Sequence, residues 1–403
     1  MNIAQIGMDC VGCYNCENVC PHKAIRLLQD KEGFFYPEIN VELCNDCGVC
    51  YRHCPQTAEY RNLDGVQISY NAISKQRKLY KKSASGGVFA TLAYMFLLQH
   101  DGAGVCGATY SEGRVHHIMI RSIDELSRLQ GSKYVQSQLG NLFVGIRNLL
   151  KQGIHVLFSG TPCQVAALYA FLGHRDIESL VTVDIICHGV PSPVFFERDL
   201  SLYASSIERI ENVQFREKHP LFKSKSGSCL NVVRDRNYFI RKTTSVLKHD
   251  PYFSLFSKGW TLRWSCYQCH YACLKRVGDI TIGDCDSWSK YPRFHPNEAT
   301  STVIINTSVG ESFWRETDQM FDFIDLDLQV EANINHQLQR PFACSTERKT
   351  IYEELDKLTM QQIRDRYARS KSLRSMMGRI MYVIFPYCIS KRIAKVVLNY
   401  FKS

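Results

Sequence analysis

The chain has 403 residues, 45% apolar and 22% charged, which provides for a packed core and excludes wholesale disorder. At about 150 residues per domain this suggests two or three domains. The formal charge of +10 is uneven: residues 366–403 hold nine Lys/Arg and no Asp/Glu, so the rest is near neutral. No apolar run reaches the roughly 18 residues of a membrane-spanning helix. The opening Met1-Asn2-Ile3-Ala4-Gln5 lacks the basic and apolar regions of an export signal, so a cytoplasmic protein is expected.

Eighteen cysteines in such a chain point to metal or redox chemistry rather than disulfides. The first segment, 1–60, carries two of their groups. Cys10, Cys13, Cys16 and Cys20 are spaced x2, x2, x3 and precede Pro21. Cys44, Cys47, Cys50 and Cys54 repeat the spacing and precede Pro55. In this pattern the Cys before Pro reaches the other cluster. Cys10, Cys13, Cys16 and Cys54 are therefore expected on one 4Fe–4S cluster, and Cys20, Cys44, Cys47 and Cys50 on a second. Zinc more usually takes separated C-x2-C pairs and would leave thiols unexplained. The segment resembles the bacterial-type ferredoxin domain with two 4Fe–4S clusters, implying an α+β ferredoxin-like fold. Gln56-Thr57-Ala58-Glu59 replaces the apolar continuation of that pattern.

Residues 61–82 read as a linker ending in Lys81-Lys82. From 83 to 345, helix and strand patterns alternate. Helices are expected over 88–100, 139–151 and 163–172, and strands over 105–110, 117–120, 154–158 and 181–186. Short apolar strands alternating with helices predict an α/β domain with a mainly parallel sheet. Residues 346–403 are expected to form a helical, basic tail. Its apolar stripe Ile393, Val396, Val397 and Tyr400 suits packing on the body or a partner, or peripheral contact with an anionic inner membrane face. No nucleic-acid-binding module accompanies the charge.

Thr161-Pro162-Cys163 fits a helix N-cap and first turn after a strand, and Cys187 ends the next strand. Both thiols would lie at the carboxyl edge of a parallel sheet, where ligands bind. Cys266-Tyr267-Gln268-Cys269 adds a C-x2-C pair with Cys273 four residues on. From the residues alone, Cys163, Cys187, Cys266 and Cys269 could hold a third cluster, Cys273 could replace one of them, Cys163 could be an activated nucleophile, or these are core thiols. Ser85-Gly86-Gly87 at a helix start, and the loop Gly131-Ser132-Lys133-Tyr134, could cradle phosphate or serve as ordinary cap and loop. Gly102-Ala103-Gly104-Val105-Cys106-Gly107 fits G-x-G-x-x-G but follows a helix and precedes a strand, so it is read as a turn. His116-His117 is expected exposed on a strand. Asp284 could orient a ligand or cap a strand end.

Taken in order, Ser83-Ala84-Ser85-Gly86-Gly87, Gly131 to Gln136, Gly160-Thr161-Pro162-Cys163-Gln164, Cys187-His188-Gly189-Val190-Pro191-Ser192-Pro193 and Cys266 to Asp284 are similar to the coenzyme F-420 hydrogenase/dehydrogenase beta-subunit family, over residues 70 to 340 or so. The resemblance implies FAD, with Ser85, Gly86, Gly87, Gly131, Ser132, Lys133 and Tyr134 near it. It also implies a third cluster on Cys163, Cys187, Cys266 and Cys269, with Cys273 less regular. An FAD-dependent iron–sulfur oxidoreductase is expected. It would pass electrons between ferredoxin-type clusters and a diffusible two-electron carrier, coenzyme F-420 or another, and exchange them with a redox partner protein or small carrier. The alternatives are an electron-transfer subunit without its own substrate and a zinc-stapled binding module. No catalytic acid or base is identifiable.

Overall fold

The structure, a computed structural model, describes residues 1–58, 67–173, 177–218, 227–234, 238–243 and 250–368. The basic stretch 369–403, with its expected membrane-facing stripe, lies outside the described residues, as do residues 59–66.

The cysteine-rich segment folds as two similar loops around a hairpin. Strands β1 (Ile25–Gln29) and β2 (Phe35–Ile39) pair antiparallel. Each loop leads into a short helix, Asn15–Val19 or Val49–Arg52. The 34-residue sequence repeat is also a backbone repeat. Gly12 and Tyr14 have φ of 67° and 67°, and their counterparts Asp46 and Gly48 have 56° and 73°. Left-handed residues at these points turn the chain so tightly that successive thiols face one interior. The core here is small: Ile3, Ile25 and Leu27 pack with the thiols themselves. Such a core is too slight to hold a fold without staples.

The large domain is built on an eight-stranded mixed sheet, ordered β13-β3-β12-β11-β7-β6-β4-β5. Its centre is parallel: β4 (Gly104–Ser111), β6 (Val156–Gly160), β7 (Leu180–Ile185) and β11 (Ile280–Asp284) run the same way. The flanks are antiparallel: β5 (Arg114–Ile120) on one side, and β12 (Ser301–Ile305), β3 (Ile68–Ser74) and β13 (Phe321–Asp325) on the other. Helices Val88–Gln99, Leu142–Leu150 and Pro162–Leu172 supply apolar cover, Leu92 and Phe96 meeting Leu157, Val183 and Val303 in one core. A separate antiparallel sheet joins β8 (Ile210–Glu217), β9 (Gly227–Arg234) and β10 (Tyr238–Thr243).

Two boundaries differ from the sequence expectation. Within the stretch read as a linker, β3 pairs with both β12 and β13, and Ala72 and Ile73 are fully buried. Its basic end is a helix, Arg77–Lys82. The start of the expected tail is part of the body: Ile351, Leu355, Met360 and Ile363 share a core with Phe34 of the ferredoxin hairpin and with Phe195 and Tyr252.

Candidate metal centres and the adjoining cavity

In the N-terminal loops the structure brings together the crossed sets. Burial first, then the closeness of Cys54, Cys16 and Cys10, push the Cys13 thiol well above its ordinary range. Cys16 is raised by burial and then by Cys10 and Cys54. Cys54, distant in sequence, thus sits with the first loop and is pushed up to about 12, mainly by burial. Cys20 sits instead with Cys44, Cys47 and Cys50 around a small hollow. Backbone N–H groups point at two of the sulfurs, Gly12 at Cys10 and Ala24 at Cys20, each at 3.3 Å. Hydrogen bonds to sulfur of this kind suit a cluster ligand. The sets differ in depth: Cys10, Cys13, Cys16 and Cys54 are buried against the large domain, whereas Cys47 is exposed. The polar run after Pro55 serves as a cap, with the Thr57 hydroxyl donating to the carbonyls of Tyr51 and Cys54 and Gln56 to that of Asp9.

Crossing carries a test. Cys20→Ala is expected to remove the cluster at Cys44, Cys47 and Cys50 while sparing the one at Cys10, Cys13 and Cys16. Electron paramagnetic resonance of the reduced protein resolves the two. Loss of the inner signal alone would refute the crossed assignment.

The middle thiols also converge. Pro162 opens its helix at N1, the Thr161 hydroxyl meets Cys163 Sγ at 3.1 Å, and Gln164 Oε1 accepts from Thr161 N at 3.0 Å. Cys187 follows β7, and Gly189 N–H points at its sulfur at 3.4 Å. Gly189 has φ +95°, and a Cβ there would fall 2.7 Å from Leu262 and 3.3 Å from Cys266, so the two cysteine loops lie back to back. Burial raises Cys187 most, followed by the proximity of Cys266, Cys163 and Cys269. Cys266 is raised to about 12 and Cys269 to about 11, both chiefly by burial and each with Cys163 among its neighbours. Cys273 stays outside, its sulfur turned to the carbonyls of His270 and Lys275. Among the described residues no three His, Cys, Asp or Glu side chains are drawn tightly enough for one metal ion. Each set holds four thiols, the number that one cubane takes, with each thiolate on a different iron.

The inner N-terminal set abuts the middle set. Asn15 donates to Ala167 O at 2.7 Å, Tyr271 to Pro55 O at 3.1 Å and Gln136 to Val11 O at 3.1 Å. The Tyr271 phenol is raised mainly by burial, with Cys163, Cys13, Cys269 and Cys54 adding to it, which places its ring between the two sets.

Cys187 also lines a cavity of about 550 Å³ at the carboxyl ends of β6, β7 and β11. That size suits a cofactor or drug-sized ligand. Its wall includes Ser85, Gly87, Gly131, Ser132, Lys133 and Tyr134, so both loops singled out in the sequence meet there. Gly86 is a correction: it does not line the cavity. Its N–H is taken by Ser301 Oγ at 2.9 Å, and a Cβ would lie 2.5 Å from Ala72 O. It is glycine because β3 and β12 crowd it. Gly87, at φ +82°, has Tyr80 Cα 3.1 Å from its would-be Cβ, so any side chain there strains the turn whatever the cavity holds.

Other residues in or beside the cavity were invisible in the sequence or underrated there. His117, expected exposed, is buried: Nε2 donates to Ser159 O at 3.0 Å and Nδ1 accepts from Ser137 Oγ at 2.9 Å. Burial lowers it to about 4, so it is neutral near pH 7. Arg216, from β8, pairs with Asp284 at the end of β11. That pairing gives Asp284 a place in the wall. Lys218 donates to the carbonyls of Tyr80, Ser83 and Ser85 at 2.8, 2.5 and 2.5 Å and so holds the turn before helix Val88–Gln99. His188 sits in the wall, lowered by burial, with Asp284 opposing and Arg216 assisting. Lys133 is lowered to about 7 by burial, and its amine donates to Gln130 O at 2.8 Å. Apolar rings complete the wall, Tyr134 and Phe256 lying 5.5 Å apart. No spacing rule marks Arg216 or Lys218, because the end of β8 that delivers both lies far in sequence from the Ser85 turn and Asp284 that they meet.

A two-loop thiol domain docked on an α/β domain with a further thiol set beside a cavity defines an iron–sulfur redox protein. Residues 9–58 match the 4Fe–4S dicluster domain, and residues 154–327 match the family formed by the carboxyl-terminal region of the coenzyme F420 hydrogenase/dehydrogenase beta subunit. One component of an ion-translocating oxidoreductase complex from Methanosarcina acetivorans is 41% identical over 56 residues, covering 14% of this chain and 19% of that protein. The ferredoxin-type protein NapF of Escherichia coli K12 is 37% identical over 60 residues, again 14% of this chain and 37% of that protein. The chain thus spans well under two thirds of these relatives. A chain from the F420-reducing NiFe hydrogenase complex of Methanosarcina barkeri aligns over 73% of this chain and 94% of its own length, at 18% identity and a TM-score of 0.44.

Proposed function

We propose that this chain is a cytoplasmic iron–sulfur flavoprotein oxidoreductase that exchanges electrons between a redox partner and a diffusible two-electron carrier. One observation carries the proposal: three sets of four thiols succeed one another from exposed Cys47, through buried Cys10 and Cys54, to Cys187 in the cavity wall. Clusters would supply one-electron relay and FAD the pairing of two electrons for hydride exchange.

The chain's own residues prepare for both. N–H groups of Gly12, Ala24 and Gly189 meet cysteine sulfurs. Burial keeps the thiols of Cys13, Cys16, Cys54, Cys187, Cys266 and Cys269 protonated, so loading must displace protons, and metal affinity should rise with pH. In and beside the cavity, Lys133, Arg216 and Lys218 stand against Asp284 and Asp286, and we take the three cations as the groups that would meet an anionic ligand such as a pyrophosphate. Tyr134, Phe253 and Phe256 offer flat apolar faces for a ring system. Gly131, at φ +82° with open space around its would-be Cβ, lets backbone approach a ligand. Among the described residues no helix is long and apolar enough to cross a membrane. The outer set, beside exposed Cys47, is the natural face for a protein partner. The oxidoreductase-complex component among the relatives supports membership of a larger assembly.

Anaerobic iron, sulfide and flavin analysis of the full chain tests this. About 12 iron atoms and one FAD per chain are expected from three four-thiol sets and one cavity. Zinc in place of iron would overturn it. Diaphorase activity with a panel of acceptors, coenzyme F420 first, separates an enzyme from an electron-transfer subunit, which would show none alone.

A further inference from the structure

Arg263 is a large charged side chain, 1% exposed, at the junction of the two domains. Its Nε donates to Cys10 O at 2.6 Å, Nη2 to Phe35 O at 2.8 Å and Nη1 to Gln136 Oε1 at 3.2 Å. Its guanidinium lies over the rings of Tyr36 and Phe34, 4.2 and 5.5 Å from their centroids. Every acceptor is neutral, and among the described residues no carboxylate pairs with it. Burying an unpaired charge costs several kcal/mol, so buried cations are ordinarily matched by an anion.

The surroundings say where that anion belongs. Gly12, between Cys10 and Cys13, has no Cβ, and one would fall 3.1 Å from Arg263 Nη1. The first cysteine loop therefore rests directly on the guanidinium. Three residues on, Cys266 N donates to Arg263 O at 2.9 Å, so the same turn that positions Arg263 positions a thiol of the middle set. Arg263 is also among the charged neighbours of the Cys163 and Cys266 sulfurs. One cation thus faces two thiol sets from two domains. Among the described residues the outer set shows no buried guanidinium of this kind: Arg52 reaches Cys47 O from an exposed position, where water screens it.

We propose that Arg263 is a fixed counter-cation shared by the clusters on Cys10, Cys13, Cys16 and Cys54 and on Cys163, Cys187, Cys266 and Cys269, raising both reduction potentials relative to the outer cluster. This rests on the assignment of those eight thiols as ligands. Four thiolates make each loaded site a net anion, and one-electron reduction adds a further negative charge. A buried cation stabilises the reduced form more than the oxidised form, so the potential rises. An electron arriving at the outer site would then move inward downhill. Arg263 acts on the clusters by charge and by positioning the two loops, not by contact with a substrate.

The test is a redox titration of the full anaerobic protein, followed by electron paramagnetic resonance, for wild type, Arg263→Lys, Arg263→Met and Arg263→Gln. In the two neutral variants the inner and middle clusters should each show at least a tenfold fall in the reduced-to-oxidised ratio at fixed potential, equivalent to about 59 mV for one electron. The outer cluster should hold its value. Arg263→Lys loses the same planar hydrogen bonding but keeps the charge, and should stay closer to wild type than either neutral variant. Unchanged inner and middle potentials in a folded neutral variant overturn the proposal, as does a Lys variant shifted as far as Met. If no neutral variant folds, an unshifted or wholly shifted Arg263→Lys decides in the same way. Iron content separates this from the ligand assignment: fewer than three clusters in the wild type defeats the assignment, and the inner potential alone then decides the role of Arg263.

Discussion

Replacing Cys187 by alanine is expected to lower iron from about 12 to about 8 atoms per chain and to abolish electron transfer between the N-terminal clusters and any acceptor in the cavity. The residue is unusual in belonging to two environments. Its sulfur is grouped with those of Cys163, Cys266 and Cys269, and its side chain also walls the cavity. Removing it would strip one of four proposed ligands and leave the other three partly buried, where neutral thiols persist at little electrostatic cost. The fold should survive, because β7 is held on both sides by parallel neighbours and the following loop by the Arg263 N to Val190 O bond at 2.9 Å. Iron and sulfide analysis, together with reduction of the N-terminal clusters by dithionite, reads the result. Iron still near 12 would show that Cys187 is no ligand. Cys273→Ala is the companion: its sulfur faces carbonyls instead of the set, so iron should not change.

Thiol groupings on one loop were legible because their geometry is local. C-x2-C-x2-C fixes three thiols within a few residues of backbone, and the crossing of Cys20 and Cys54 follows from the loop repeat. The strand-to-helix turn at Thr161-Pro162-Cys163 was legible for the same reason. Elements that depend on distant partners were not. Strand β3 reads as linker because Ser69, Asn71 and Ser74 make it look polar, yet Asn71 and Ser74 are almost fully buried between strands more than 200 residues away. His117 looked exposed because its burial comes from Ser137 and Ser159, which no strand pattern announces. Gly86 looked like a phosphate loop for a sound reason, the missing Cβ. The space that Cβ would occupy turns out to belong to Ala72 and Ser301. Arg263 carried one faint sign, a lone basic residue three positions before a C-x2-C pair. Its lack of an acid partner appears only once the two domains meet.

The helix that opens the C-terminal region gives the second large effect. Arg348, its side chain 6% exposed, forms a two-pronged pair with Glu32 of the ferredoxin hairpin, Nη1 to Oε1 at 3.0 Å and Nη2 to Oε2 at 2.5 Å. Its Nε donates to Leu262 O at 3.1 Å, and its guanidinium lies 4.7 Å from the centre of the Tyr352 ring. One side chain thus ties the ferredoxin hairpin, the loop leading to Cys266 and helix Glu347–Leu355. Breaking a buried pair by removing one partner typically costs about 3–5 kcal/mol, because the other charge stays buried and unmatched. Arg348→Met should lose stability on that scale, and Glu32→Gln by a smaller amount, since a neutral amide still accepts one bond. The double variant should be less destabilised than the sum of the two, because the two sites share one interaction. Urea unfolding of the anaerobic full chain measures all three. Singles that each shift stability by less than about 0.5 kcal/mol, and that add, would mark an ordinary surface pair. Truncation then separates body from tail. A 1–365 chain keeps Arg348, Ile351 and Ile363 and should retain its N-terminal clusters, whereas a 1–345 chain loses the partner of Glu32 and should shed them, since the hairpin that carries Glu32 is the one around which both cysteine loops fold.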